Sequence, residues 1–458
     1  MQKPSASDRV LLLGLIIVAF GLIYFLLQTD FSAPLKFAGA VLILMGSAQG
    51  LTRLTGVKSE WGIILVRTKK GIEVIRNLAR HSGLWKFFAD VGICLAFGIL
   101  GYFVVKRPAL GRLKVLLTAM VTLTFLLMFV SPMVLPFLSI SLGLSLGAET
   151  GGATAASEDL IGPTVLLCAV YLGGLSTMVT LSIISYGFTV FLAFTDTMIN
   201  GANTIAETSP GITLILPGIN IPLIEGIIAL VIILVVHEGA HAVMSIIGRV
   251  PLVSSGLAFF GIVPVGAFVE PDEKRLVSKS KEIQTHVVVA GSTANLFTAI
   301  VFFLLLFGFL FVTSPFRGTG WMVLEGMENG TIIYSVNGVE VDGYEKFSFE
   351  PGETVTMETN YGTIEREANS DGLIGIQYVP LSSPPYTQYD FPVFGFIFRL
   401  LALTFCLNFI IGIVNLLPLP FFDGYRLIEL NIEQRWIPKA IMYICIIAFL
   451  MNFLPWFF

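Results

Sequence analysis

The chain has 458 residues, 55% of them hydrophobic and 13% charged, and its 27 basic and 31 acidic residues give a net charge of −4. Soluble globular chains average about 45–50% apolar and about 25% charged residues. Here the apolar residues run in long unbroken stretches with a mean hydropathy of +0.85, which excludes an ordinary soluble enzyme. The acidic balance argues against a nucleic-acid binder, a class that needs a basic footprint. The four cysteines (Cys94, Cys168, Cys406, Cys445) stand singly in apolar runs, so no disulfide framework or cysteine metal site is legible. The composition reads as a polytopic α-helical membrane protein.

A membrane span needs about 20 apolar residues. In chain order the candidates are 10–28, 33–52, 87–105, 113–138, 164–195, 222–247, 287–313, 392–417 and 437–457. The first follows Lys3 and Arg9 as a signal peptide would, but a second span follows at once, so it reads as a retained span. The run 164–195 suits one tilted span or two short ones. Segment 61–80 (WGIILVRTKKGIEVIRNLAR) has apolar residues at helical spacing and a basic face. It reads as an interfacial helix on an anionic leaflet or, by the usual loop bias, as an ordinary positive-inside loop.

The Lys/Arg bias orients the second half. Segment 248–286 carries Arg249, Lys274, Arg275, Lys279 and Lys281, and loop 418–436 carries Arg426 and Arg435, so both are expected in the cytoplasm. Segment 314–391 holds twelve acidic against three basic residues and is expected outside. The run 87–105 has basic residues on both flanks (Arg76, Arg80 and Lys86 before it; Lys106, Arg107 and Arg112 after it). If it crosses fully, both flanks cannot be cytoplasmic.

Residues 318–381 are polar and Gly-rich. TIIYSVNGVEV (331–341) alternates and carries Asn337-Gly338, a strong hairpin signal. ETVTME (353–358) and GTIERE (362–367) read as further strands. The insert is therefore a small extracytoplasmic β-rich domain, either a cap over the membrane core or a peptide-binding or substrate-filtering module. The expected organisation is an N-terminal transmembrane region 1–215 of about four to six spans, core spans 216–317, the insert 318–381, and C-terminal core spans 382–458.

The chemistry concentrates in His237-Glu238-Gly239-Ala240-His241, an H-E-x-x-H at the end of the run 222–247. On a helix residues four apart share a face, so both imidazoles can bind one Zn²⁺. Glu238 lies one step round, placed to take a proton from water without being a ligand. Ionisable groups inside a span are costly and mark function. A catalytic zinc wants three protein ligands and an open position. His81 and His286 lie in polar flanks and read as interface residues. Asp423, in NLLPLPFFDG (415–424), is the better third ligand. Two prolines break the helix where the span 392–417 reaches the cytoplasmic side, and irregular backbone at that depth must line a cavity or be buried in protein. The His pair and Asp423 thus share one depth by independent charge counts. Alone, Asp423 reads equally well as a turn residue before Gly424.

With HEGAH at 237–241, N-x-x-P-x-P-x-x-D-G at 415–424, GIVPVGAFVE at 261–270 and AGSTAN at 290–295, the chain resembles the site-2 protease family of intramembrane zinc metalloproteases. The resemblance covers about 220–458, and Phe422 replaces the Leu more usual before the Asp. It implies one Zn²⁺ held by His237, His241 and Asp423, and Glu238 as catalytic base. It implies a Gly-rich membrane hairpin beside the site and a G-x-x-x-N element, Gly291–Asn295, whose Asn joins the site. Gly261, Gly266, Asn295 and Asn415 are the candidate substrate-binding positions. Bottom-up, Asn295 reads as an interhelical hydrogen bonder or as a neutral donor to substrate or oxyanion. The insert resembles part of a PDZ domain, and GAFVEPDE (266–273) resembles archaeal members.

The expected function is hydrolysis of peptide bonds within or near transmembrane segments of membrane-protein substrates, with the lipid bilayer as surroundings and no nucleic-acid partner. The protein is expected in the cell membrane as a multi-pass chain, its site toward the cytoplasm. Two competing classes are a zinc-binding membrane transporter, which needs ionisable groups along a whole pathway rather than at one depth, and a catalytically idle scaffold, which has no need of Glu238.

Overall fold

The computed structural model describes residues 6–29, 31, 33–57, 59–60, 62–68, 71–141, 163–212, 217, 221–328, 330–384 and 386–458. The boundary expected at 215/216 lies outside them. The molecule is mostly helical, with two antiparallel sheets. Among the described residues seven helical stretches are long and apolar enough to cross a membrane: Ile72–Val104, Ala109–Val134, Thr164–Asn200, Leu223–Ile247, Lys281–Val312, Pro392–Val414 and Trp436–Phe457. The first two expected spans are helices α1 (Ala6–Leu27) and α2 (Ala33–Thr55), packed on each other. They fall outside the seven: the apolar described part of α1 is short, Val10–Leu26, and α2 carries Gln49, Thr52 and Arg53 in its second half.

Segment 61–80 is neither one continuous helix nor an irregular loop. Its β-branched run forms strand β2 (Ile63–Thr68), and only α3 (Ile72–Leu78) is an α-helix, followed by a 3₁₀ turn at Ala79–His81. β2 pairs with β3 (Leu252–Phe260), which pairs with β4 (Val263–Pro271), and with β1 (Ser59–Glu60) they make one sheet in the order β1-β2-β3-β4. Ile63, Leu65 and Val66 satisfy helical and strand periods alike in so short a run. The pairing with β3, almost 200 residues away, decides it.

The run 87–105 is not one straight helix. Helix α4 (Ser82–Phe97) breaks at Gly98 (φ +59°, ψ −140°) and a short helix α5 (Gly101–Val104) folds back along it. A Cβ on Gly101 would stand 2.7 Å from Cys94 Cα. Arg107 thereby returns to Asp90 and forms an ion pair with it. The run folds back on itself rather than continuing straight, which brings its two basic flanks toward one end. A helix broken at depth exposes backbone polar groups that protein must cover. The cover is a second break, Gly174 (φ +73°), a non-helical kink at which two helical halves meet within α8 (Pro163–Asn200), beyond α6 (Ala109–Phe125) and α7 (Ser131–Ser141). A Cβ on Gly98 would meet Tyr171 O at 2.4 Å, and one on Gly174 would meet Ala96 O at 2.3 Å. The two kinks interlock backbone to backbone, which only glycine permits at positive φ.

The core is helix α9 (Leu223–Ile247) against α10 (Lys281–Val312) and α11 (Pro392–Val414), with α4 on the outer face of α10. Helix α12 (Asp423–Asn431) caps one end of α10, and α13 (Trp436–Phe453) packs on α8. Arg399, Asn408 and Asn452 each donate a hydrogen bond within these helices, while Asn408 Oδ1 is buried without a partner. Arg399 Nε donates to Glu225 at 2.8 Å, joining α11 to α9. Asn452 donates to Ile183 O on α8, and Asn408 to Thr404 O.

The insert has strands β5 (Trp321–Glu325), β6 (Ile332–Val336), β7 (Val339–Glu340), β8 (Thr354–Thr359), β9 (Gly362–Glu367) and β10 (Gln377–Pro380), in the order β10-β5-β6-β8-β9 with β7 on β6. Asn337 and Gly338, both at positive φ, make the two-residue hairpin turn. Trp321, Ile333, Val336, Val355 and Met357 form its own core. Among the described residues of 318–381 there is no α-helix. The helix that walls a PDZ peptide groove is therefore missing, and the likeness is confined to strands.

Candidate metal centre

His237 and His241 lie one turn apart on α9 and face the same way, with ring centroids 4.7 Å apart. Their Nε2 atoms are separated by 3.1 Å. The third vertex comes from the Pro-rich loop. Leu416, Leu417 and Leu419 are buried, Ser176 Oγ donates to Leu416 O, and the Gly424 N–H donates to Asn415 O at 2.8 Å. A Cβ on Gly424 would stand 2.1 Å from Leu416 O, so the residue after the Asp must be glycine. Phe421 takes the strain of the turn at φ +72°. The loop places Asp423 Oδ2 at 3.5 Å from His237 Nε2 and 3.4 Å from His241 Nε2. Among the described residues this is the group of His, Cys, Asp and Glu atoms that can hold a metal ion.

These residues fit a zinc ion by two tests. A tetrahedral ion with ligands at about 2.0–2.1 Å has ligand–ligand edges of about 3.3 Å, and the three edges here are 3.1, 3.4 and 3.5 Å. Asp423 Oδ2 is also buried with no hydrogen-bond donor on it, an arrangement that costs free energy until a cation or proton arrives. Gly291 on α10 faces the triad directly: a Cβ there would lie 2.4 Å from His241 Nε2 and 2.6 Å from His237 Nε2. The missing side chain is the space an ion needs.

The ring orientations are set from behind. His241 Nδ1–H donates to Val287 O at 2.7 Å, leaving Nε2 as the ligand atom. The Asn295 amide nitrogen is placed 3.2 Å from His237 Nδ1, while its oxygen is buried without a partner. When His237 Nε2 faces a cation its Nδ1 carries the proton. The half-turn of the amide that brings Oδ1 to that proton satisfies both groups. Asn295 thus stands directly behind His237. Glu238 is held by β4, its Oε2 accepting from the Val269 N–H at 3.1 Å.

The sequence-derived positions separate here. His237, His241, Asp423, Glu238, Gly291 and Asn295 converge. Asn415 acts through its carbonyl, closing the Asp423 loop. Gly266 pairs with Ala258 inside the sheet. Gly261 makes the β3–β4 turn and packs on α2, where a Cβ would meet Leu44 O at 2.4 Å. Its closest neighbours are thus on α2 rather than at the triad. His286 is not an interface residue: it is 5% exposed and its Nε2 binds Asp90 Oδ1 at 2.7 Å. Asp90 therefore ties α4, Arg107 and α10 together one residue from the carbonyl that holds His241. A lone acid in the apolar run 87–105 is the signal that marks it in the sequence.

The family model for Peptidase family M50 matches residues 225–454, about half of the chain. A protein of Methanocaldococcus jannaschii, described only as uncharacterized, is 28% identical over 218 residues, which is 45% of this chain and 56% of that relative. The chain thus spans little more than half the length of this relative. The match contains His237, His241, Asp423, Glu238, Gly291 and Asn295, and the chain belongs to peptidase family M50, the zinc-dependent metallopeptidases of the site-2 protease type.

Proposed function

We propose that the protein is an intramembrane zinc endopeptidase that hydrolyses peptide bonds within or beside transmembrane segments of other membrane proteins, near the cytoplasmic face. The observation that carries the reading is a zinc-sized triangle of His237, His241 and Asp423, with Glu238 beside it, set among helices of membrane-spanning length. Bound zinc supplies Lewis-acid polarisation of the scissile carbonyl and of water. Glu238, one carboxylate oxygen fixed by Val269 N–H, takes the proton from water on the other oxygen and delivers it to the departing amine. Asn295 and Val287 O keep both imidazoles turned to the ion. β4 ends its sheet, and the Val269 N–H points from that outer edge to Glu238. An extended substrate strand added there would pass the base. A substrate helix has its backbone paired internally, so it must unwind before attack, and helix-weakening residues are expected near its scissile bond. The basic residues of 248–286 support a site toward the cytoplasm.

The test uses the full chain in detergent with a panel of single-span reporters, wild type against Glu238→Ala, with and without a chelator. Cleavage requiring both Glu238 and metal is expected. Undiminished cleavage by Glu238→Ala would sink the mechanism.

A further inference from the structure

A cavity of about 1020 Å³ lies between the N-terminal helices and the catalytic core, and it reaches Glu238. Its wall on one side is α3 and α4, including Leu84, Trp85 and Phe88; opposite are α9, α10 and the β3–β4 sheet. Small residues (Gly239, Ala240, Gly256, Ala290, Ala294) make much of its floor, and aromatic rings (Trp85, Phe88, Phe268, Phe297) stand over it. Glu238 and His81 are the titratable side chains in the lining, so everything between them is apolar or neutral. The rim is apolar too: Val74, Leu84, Val235 and Val301 are 63%, 56%, 55% and 52% exposed.

We propose that this cavity receives the apolar side chains of the unwound substrate segment flanking the scissile bond, entered sideways from the bilayer, with Trp85 and Phe88 as specificity-determining residues. The proposal rests on the peptidase reading and deepens it. An exposed apolar rim next to hydrocarbon admits a lipid-facing segment without a polar barrier, and the inner end delivers it to the base. The wall selects by size because it cannot yield. α4 is pinned to α10 by Asp90 on His286 and by Gly92, where a Cβ would stand 1.8 Å from Thr293 Oγ1. Phe88 is braced edge-on against Phe297, centroids 4.9 Å apart, and the Trp85 indole N–H is held by Leu78 O at 3.0 Å. A rigid apolar pocket discriminates about 10–200-fold per methylene-sized misfit. Both helices lie outside residues 225–454, so this wall of the cavity comes from the N-terminal region rather than from the segment that the family model matches.

The experiment measures kcat/KM for reporters carrying Ala, Leu, Phe or Trp at each position flanking the scissile bond. Wild type should favour one bulky residue at one position. Phe88→Ala and Trp85→Ala should move the Trp-to-Ala preference there upward by about tenfold, and Ala294→Leu, which fills the floor, should move it downward, with zinc content unchanged. Phe88→Leu should fall between. A preference that stays within about twofold of wild type in all active variants, as expected if a lipid chain fills the cavity, overturns the proposal. If wild type cleaves no reporter the peptidase reading fails separately. The pocket is then judged by a reporter with a photoreactive phenylalanine analogue in the Glu238→Gln protein: crosslinks to α3–α4 support it, and crosslinks elsewhere overturn it.

Discussion

At Gly291 a single methyl group decides whether a metal fits. Its absent Cβ would lie within 2.6 Å of both Nε2 atoms, inside any van der Waals contact. Gly291→Ala should therefore push the imidazoles apart and lose zinc, read as zero stoichiometry by elemental analysis, with a melting temperature lowered in line with the about 1–3 kcal/mol that overpacking costs. Asn295 works from the other side of His237. Removing such a supporting partner typically costs about 10–100-fold in metal affinity, so Asn295→Ala should weaken zinc by that factor in a chelator competition. Glu238→Gln should leave zinc bound and abolish turnover. That contrast separates ligand support from proton transfer. The metal triad was legible in the sequence because H-E-x-x-H and the Pro-rich Asp-Gly loop each fix geometry within ten residues. The supports were less so: Asn295 was legible as a site residue but not as a partner of His237, and the Val287 carbonyl was hidden, since a backbone acceptor has no sequence signature.

Among the elements, α4 and its return carry the least expected structure. Composition alone cannot distinguish a straight span from a re-entrant hairpin, because Gly98 and Gly174 matter only through each other, across some 75 residues. The same holds for β2, whose pairing with β3 outweighs its helical spacing. Asp90 holds the hairpin by receiving Arg107 and His286 at once, its carboxylate only 3% exposed. Breaking a buried pair by deleting one partner costs about 3–5 kcal/mol. Asp90→Ala should therefore lower the melting temperature strongly, while Asp90→Asn, which keeps a hydrogen-bond acceptor for His286, should lose less. Because His286 precedes the residue that orients His241, Asp90→Ala should also weaken zinc binding in the fraction that stays folded. A variant that loses stability alone would restrict Asp90 to a structural role.

For the whole molecule the hairpin resolves the charge puzzle of the N-terminal half. Asp90 lies beside His286, near the end of α10 that carries the His237–His241–Asp423 triad, so Lys86 and Arg107 stand at the same end as Arg249, Lys274, Arg275, Lys279 and Lys281. The insert follows the opposite end of α10, about 25 Å further along a helix rising 1.5 Å per residue from Asn295 to Val312. The charge bias of the molecule then has one sense: basic residues gather at the metal end, acidic ones in the insert. A straight span at 87–105 would instead separate the two flanks. In right-side-out vesicles of a cysteine-free background, Gly83→Cys and Lys106→Cys should both resist an impermeant maleimide and both label after inversion, together with Lys274→Cys. Asn360→Cys at the exposed β8–β9 turn of the insert should show the opposite pattern. Labelling of Gly83→Cys and Lys106→Cys from opposite faces would make the run a full crossing and remove the re-entrant wall on which the substrate pocket depends.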